Sequence, residues 1–273
     1  MTSTLSSTPG HTEMRPAKAP LFGLTSKFYY RLLSIVGFFA IWEIAGLVPV
    51  SVAFPTFGET MRALFELTAD GRIAAAYAET LKPLGLGVLI STVFGVAIGV
   101  SMGLNRLYQW IWEPIFVVLQ ASPVAALIPL ITYAYGIGLT AKTVAVIILA
   151  APIIVLNTYK AVRNVSPTLV QMCRSFQGNR LQEIWKVIIP NAAPVIFAGL
   201  RLGVAAGFIG VILAELLITP TGIGDIISYH RSIAEYPEMY AAVFTVIVFS
   251  AVMVGLLEVA ETRYFRPEKR NSQ

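Results

Sequence analysis

The sequence predicts an all-α membrane protein with six transmembrane helices, and three observations carry that prediction. Hydrophobic side chains make up 56% of the 273 residues against 13% charged, and mean hydropathy is +0.72. The charge is about half that of an ordinary soluble domain. The charge is also unevenly spread: 83–105, 114–141, 143–159 and 239–257 are uncharged runs of 23, 28, 17 and 19 residues, each near or beyond the roughly 20 that cross a bilayer as helix. The runs are continuously apolar rather than alternating in short units, which argues for helices over a strand barrel, and the same composition excludes a disordered chain.

The elements follow in order. Residues 1–26 are polar, rich in Thr, Ser and Pro, and read as a flexible cytoplasmic tail without the order of a signal peptide. Lys27 to Arg31 is a basic and aromatic segment suited to the interface, and the first span occupies 32–49 with Glu43 inside it. The second span is 79–103, where Gly95, Gly99 and Gly103 recur every fourth residue as a stripe for close helix approach. The third is 110–135, made irregular by Pro114, Pro123 and Pro129. The fourth is 143–160, and the fifth 191–217, whose Arg201 is expected to snorkel toward headgroups. The sixth is 239–260, and 263–273 is a second cytoplasmic tail. The transmembrane domain proper is therefore 27–262.

Six spans put both termini on one side, and basic residues choose it. Fourteen Lys and Arg fall in segments on the side of the termini, against four on the other, Arg62, Arg72, Lys142 and Arg231. Both termini and the 161–190 interval are expected to be cytoplasmic. This use of the net charge of +5 makes nucleic acid an unneeded partner. One cysteine, Cys173, and two histidines, His11 and His230, form no soft-ligand cluster, so no metal site is indicated.

The 161–190 interval is too polar to cross and too long for a turn. Ser166-Pro167-Thr168 opens a helix, with a hydroxyl to satisfy free amides and proline in the first turn. Val170, Cys173, Phe176, Leu181, Ile184, Trp185 and Ile188 recur at helical spacing, interrupted at Gly178-Asn179. Two short helices, about 167–186, are expected to lie across the cytoplasmic mouth. On pattern alone this is either a solvated loop or a docking surface; Phe176 and Trp185 beside polar Gln171, Arg174, Ser175, Gln177, Arg180 and Glu183 favour docking.

Gln171 to Arg180, running on to Ile188-Ile189-Pro190, resembles the cytoplasmic loop signature of the permease subunits of binding-protein-dependent ABC importers. Ala121-Ser122-Pro123-Val124, Tyr135-Gly136-Ile137-Gly138, Phe197 to Gly203, Ala214-Glu215 and Gly222-Ile223-Gly224 are similar to its nitrate, sulfonate, taurine and bicarbonate branch, from about residue 75 to 260. The signature departs from the family pattern at Gln171, at Met172-Cys173, and at Gln177, where glycine is usual and where the adjacent Gly178 is expected to serve the turn.

The resemblance implies the type I importer permease fold in a bacterial inner membrane. It also implies a non-catalytic role: ATP and Mg held by separate cytoplasmic ATPase subunits, an external or lipid-anchored solute-binding protein, and a second copy of the chain. Consistent with this division, the sequence has no Gly-rich phosphate loop. Gln171, Arg174, Ser175, Phe176, Gln177, Gly178, Arg180, Glu183 and Trp185 would then couple to the ATPase. Gln120, Ser122 and Pro123 at the broken helix are expected to line the pathway, and Glu215, near the external end, to have a structural role at the gate. Tyr108, Trp110 and Trp112 read as an aromatic belt mirrored by Tyr133 and Tyr135, and 50–78 and 218–238 as external docking segments. The rival reading, a secondary transporter, leaves the 161–190 element without a purpose and lacks a visible inverted repeat.

Overall fold

The structure, a computed structural model, describes residues 26–48, 51, 53–218 and 220–265. In chain order its helices are α1 (Ser26–Leu47), α2 (Phe57–Ala69), α3 (Arg72–Leu104), α4 (Arg106–Ala121), α5 (Val124–Tyr135), α6 (Leu139–Arg163), α7 (Pro167–Ser175), α8 (Arg180–Gln182), α9 (Ile189–Leu217), α10 (Ile223–Ser232) and α11 (Tyr236–Phe265). A π-helical stretch, Glu183–Ile188, joins α8 to α9. No strand occurs among the described residues. The tails expected at 1–26 and 263–273 lie outside the described residues except for Ser26 and 263–265, which are helical.

Among the described residues five stretches are long and apolar enough to cross a membrane: Tyr29–Leu47, Arg72–Leu104, Leu139–Arg163, Arg180–Leu217 and Tyr236–Arg263. The third span is broken, as its prolines lead one to expect. It is two helices, α4 and α5, meeting at 103°, and the pair completes the six. Only Pro123 breaks the chain, as the residue before α5; Pro114 and Pro129 sit inside α4 and α5. The chain thus alternates between two ends, one carrying α2 and α10, here the platform end, and one carrying α7 and α8, the elbow end.

The centre of the bundle is α6, gripped between two glycine stripes. A Cβ added at Gly87, Gly95, Gly99 or Gly103 of α3 would lie 2.5 to 3.0 Å from Val146, Ile154, Thr158 or Val162 of α6. From the other side, one at Gly199 or Gly203 of α9 would lie 2.6 or 2.5 Å from Asn157 or Ile154. Without hydrophobic drive between helices in lipid, this backbone approach supplies the dispersion contact that holds three helices together.

Two charged side chains expected to stand in or near lipid are instead paired. Glu43 on α1 accepts from the Gly58 N–H at 3.0 Å, putting its charge at the positive end of α2. There Thr56 and Glu59 already form a capping box. Arg201 clips α9 to α11 through Glu258 at 3.1 Å and Glu261 at 3.5 Å.

Candidate functional site

The elbow carries the first group of predicted residues. Pro167 occupies the first turn of α7, but the Ser166 side chain makes no capping bond. The helix ends in a Schellman turn: the Gln177 N–H reaches Arg174 O at 2.9 Å and the Gly178 N–H reaches Cys173 O at 3.0 Å. The left-handed residue in that turn is Gln177, φ +57°. The expectation that Gly178 would take over the glycine role is corrected. Gly178 has no positive φ; its missing Cβ makes room for Cys173, whose Sγ would lie 2.6 Å away. The second arm opens on Asn179, which forms a capping box with Gln182 at 2.8 and 3.1 Å. Arg174 then staples the arms together, its Nε and NH2 donating to Glu183 at 2.9 and 3.0 Å, and the Ser175 hydroxyl donates back to Gln171 O at 3.0 Å.

The apolar stripe read from the sequence divides in two. Val170, Ile184 and Ile188 pack onto the bundle beside Val162 and Ala192. Phe176, Leu181 and Trp185 face outward, Phe176 81% and Trp185 69% exposed, and Met172, outside the stripe, is exposed beside them. The second arm does not end at the elbow. Through the π turns before Pro190 it continues as one helix to Leu217, where the widened backbone accommodates a proline that lacks an N–H and crowds the preceding turn.

At the break between α4 and α5, Gln120 is exposed, and the Ser122 hydroxyl donates to Val118 O at 2.8 Å while its N–H reaches Leu119 O at 3.3 Å. Tyr133 on α5 is 93% exposed. The break therefore leaves the Gln120 amide uncovered in the middle of an apolar element, while Ser122 is half-buried and bonded to its own helix.

The far end of the long helix holds the residue set that the sequence located only in part. Glu215, with none of its side chain exposed, pairs with Lys142 at 2.9 Å, itself 4% exposed. The sequence reads Lys142 as an external loop charge, but it is buried in the first turn of α6, and its other two protons go to Thr221 O at 2.9 Å and Thr221 Oγ1 at 2.8 Å. Glu215 also accepts from the Gly224 N–H at 3.1 Å and lies 3.0 Å from the Thr80 hydroxyl, which accepts from the Ile223 N–H. Gly222, φ +93°, passes so close to the Glu215 carboxylate that a Cβ would collide with it. Every donor and acceptor of the pair is engaged, so α3, α6, α9 and α10 are tied at one point through Glu215.

At the same end, His230, Glu235 and Glu238 bring ligand-type atoms within 4.8 Å of one another. Arg72 lies 3.2 Å from His230 Nε2 and can only donate, so that nitrogen accepts and Nδ1 donates to Glu235 at 2.7 Å. The group ties α3 to the α10–α11 turn with a cation already in place.

Residues 91–266 match the family model described as "Binding-protein-dependent transport system inner membrane component". The chain is 27% identical to the taurine transport system permease protein TauC of Escherichia coli strain K12, over 67% of this chain and 69% of the relative. It is 27% identical to the bicarbonate transport system permease protein CmpB of Synechococcus elongatus, over 83% and 84%. Among solved structures it is similar to a chain of an amino acid ABC transporter at TM-score 0.61 and 18% identity, over 73% of this chain and 97% of that one. Against a chain of the MetNI methionine ABC transporter the TM-score is 0.58 at 20% identity, over 72% and 97%.

Proposed function

Because the chain belongs to the binding-protein-dependent transport system inner membrane components, with the type I importer permease fold in a multi-pass inner-membrane protein, we propose that it forms the solute pathway as a dimer and receives force from cytoplasmic ATPase subunits at its elbow. One observation carries the reading. Four large apolar side chains, Met172, Phe176, Leu181 and Trp185, are exposed on two helices locked to each other by the Arg174–Glu183 pair. An exposed apolar set on a rigid support is what a partner protein can seize and move. The distribution of basic residues, fourteen against Arg62, Arg72 and Arg231 once the buried Lys142 is set aside, supports placing that end, with both termini, in the cytoplasm.

The mechanism follows from continuity. A push at 171–186 enters a single helix running from Arg180 to Leu217, about 55 Å long, whose far end carries Glu215. There the Lys142–Glu215 point ties α9 to α3, α6 and α10, so movement of α9 reaches the platform end as rigid-body motion. Gln120, Ser122 and Pro123 at the break are assigned to the pathway, where freed backbone groups can meet a polar solute. Glu215 acts on the gate through position. Phosphate chemistry, with ATP and Mg, belongs to the ATPase subunits, and solute delivery to an external or lipid-anchored binding protein meeting 50–78 and 218–238. The relatives' names support a small anion, a sulfonate or a related small organic solute.

The test is copurification of the tagged chain with its ATPase subunit. Phe176→Ala with Trp185→Ala is expected to abolish the association and to leave the permease folded. An intact complex with wild-type transport would remove the coupling role from this surface.

A further inference from the structure

We propose that the hollow beneath the elbow binds the phosphate headgroup of an anionic phospholipid. The hollow, ≈ 350 Å³, lies between α7, α8 and the ends of α3 and α6. Arg163, Arg174 and Arg180 line it against a single carboxylate, Glu183, over a floor that includes Leu104 and Ile188. Glu183 is committed to Arg174 at 2.9 and 3.0 Å. Arg163 and Arg180 make no hydrogen bond or salt bridge among the described residues, so two guanidinium forks are left for a ligand.

The chemistry selects an anion with several oxygens, since a guanidinium meets phosphate through two parallel N–H bonds. The position selects a lipid. Gly103, Leu104, Val162 and Arg163 are the last residues of two helices that cross the membrane, so the hollow opens where the bilayer's phosphates lie. Its apolar floor can take the glycerol and the first methylenes. A phosphate held by Arg163 of α6 and Arg180 of α8 would fasten the elbow to the bundle. The membrane's content of anionic lipid would then set how firmly the elbow is held. This inference rests on the membrane placement of α3 and α6 and not on the ATPase reading.

The experiment uses the full chain, purified in detergent, with phosphatidylglycerol as the probe and phosphatidylcholine as the neutral comparison, bound lipid being counted by native mass spectrometry. Wild type is expected to prefer phosphatidylglycerol, and Arg163→Gln with Arg180→Gln to weaken that binding about tenfold or more, as the loss of charge-assisted bonds requires. Phosphatidylcholine binding should be unchanged. Arg106→Gln, at an exposed position of the same end outside the hollow, should behave as wild type. Equal phosphatidylglycerol binding by wild type and the double variant overturns the site, and equal loss in Arg106→Gln reduces it to diffuse surface charge. Inorganic phosphate displacing the lipid with the same arginine dependence would overturn the lipid assignment in favour of a soluble anion. Should the double variant not fold, Arg163→Lys with Arg180→Lys keeps the charges and removes the forks. A several-fold loss there supports the proposal, and undiminished binding overturns it.

Discussion

Lys142→Met tests the buried pair directly. The change keeps the length of the side chain, removes the ammonium, and leaves the Glu215 carboxylate with only Thr80 and the Gly224 N–H as neighbours. Both partners are almost fully enclosed, 4% and 0% exposed, so the remaining charge cannot recover its loss from water. Removing one member of such a pair costs about 3–5 kcal/mol. At roughly 2–4 °C per kcal/mol for a chain of this size, the apparent melting temperature should fall by roughly 6–20 °C. Glu215→Leu should cost a similar amount by stranding Lys142. The double variant, Lys142→Met with Glu215→Leu, removes both charges together and should lose about 2 kcal/mol or more less than the sum of the two singles. The assay is thermal unfolding of the purified chain in one detergent, followed by tryptophan fluorescence. Single variants within about 1 kcal/mol of wild type, with an additive double, would refute the claim that the pair is the tie between α3, α6, α9 and α10.

Gln177→Gly should stabilise the elbow by about 0.5–1 kcal/mol, because a side chain is removed from a left-handed position, and Gln177→Val should destabilise it by about 1–2 kcal/mol. Hydrogen exchange at the Gln177 and Gly178 amides reads both. Gly99→Val places new atoms against Thr158 and Val155 O, where even a Cβ would lie 2.6 and 2.7 Å away. A loss of about 1–3 kcal/mol in the same unfolding assay is expected from overpacking. Gly222→Ala drives a methyl into the Glu215 carboxylate and strains a φ of +93°. It should reproduce a large part of the Lys142→Met loss without changing any charge. Arg174→Ala breaks a bidentate pair between an exposed arginine and a largely covered carboxylate, 63% and 13% exposed, so global stability should fall by about 1–2 kcal/mol. Copurification with the ATPase should weaken all the same, because the two arms are no longer held in register.

The elbow was largely legible in the sequence because its signals are local. Proline at the start of α7, the turn at 176–179 and the apolar spacing all act within a few residues of one another. What periodicity could not divide was the apolar stripe itself: Val170 and Ile184 face the bundle while Phe176 and Trp185 face outward, and only packing against α3, α6 and α9 sorts them. The turn was located and its mechanism misassigned, since a glycine beside the critical position suggested a shift that the hydrogen bonds of the Schellman turn forbid. At the platform end the failure was of another kind. A lysine near the end of an apolar run reads as a topology charge, and its carboxylate lies 73 residues away in sequence. The Gly222-Ile223-Gly224 turn that lets backbone approach that carboxylate was visible only as part of a resemblance.

Composition and charge placement by themselves determined that this chain crosses a membrane several times as helices, and roughly where. A bilayer leaves no other solution for long apolar runs whose backbone must bond internally, so length and hydropathy suffice. They also determined that one polar interval folds outside the spans. Tertiary structure alone decided that the break at Pro123 bends the third span by 103°, that α6 is the helix gripped by glycines on both sides, and that the partner of Glu215 is Lys142. Hydropathy averages over a window and carries no direction, whereas each of these depends on which atoms of distant segments meet.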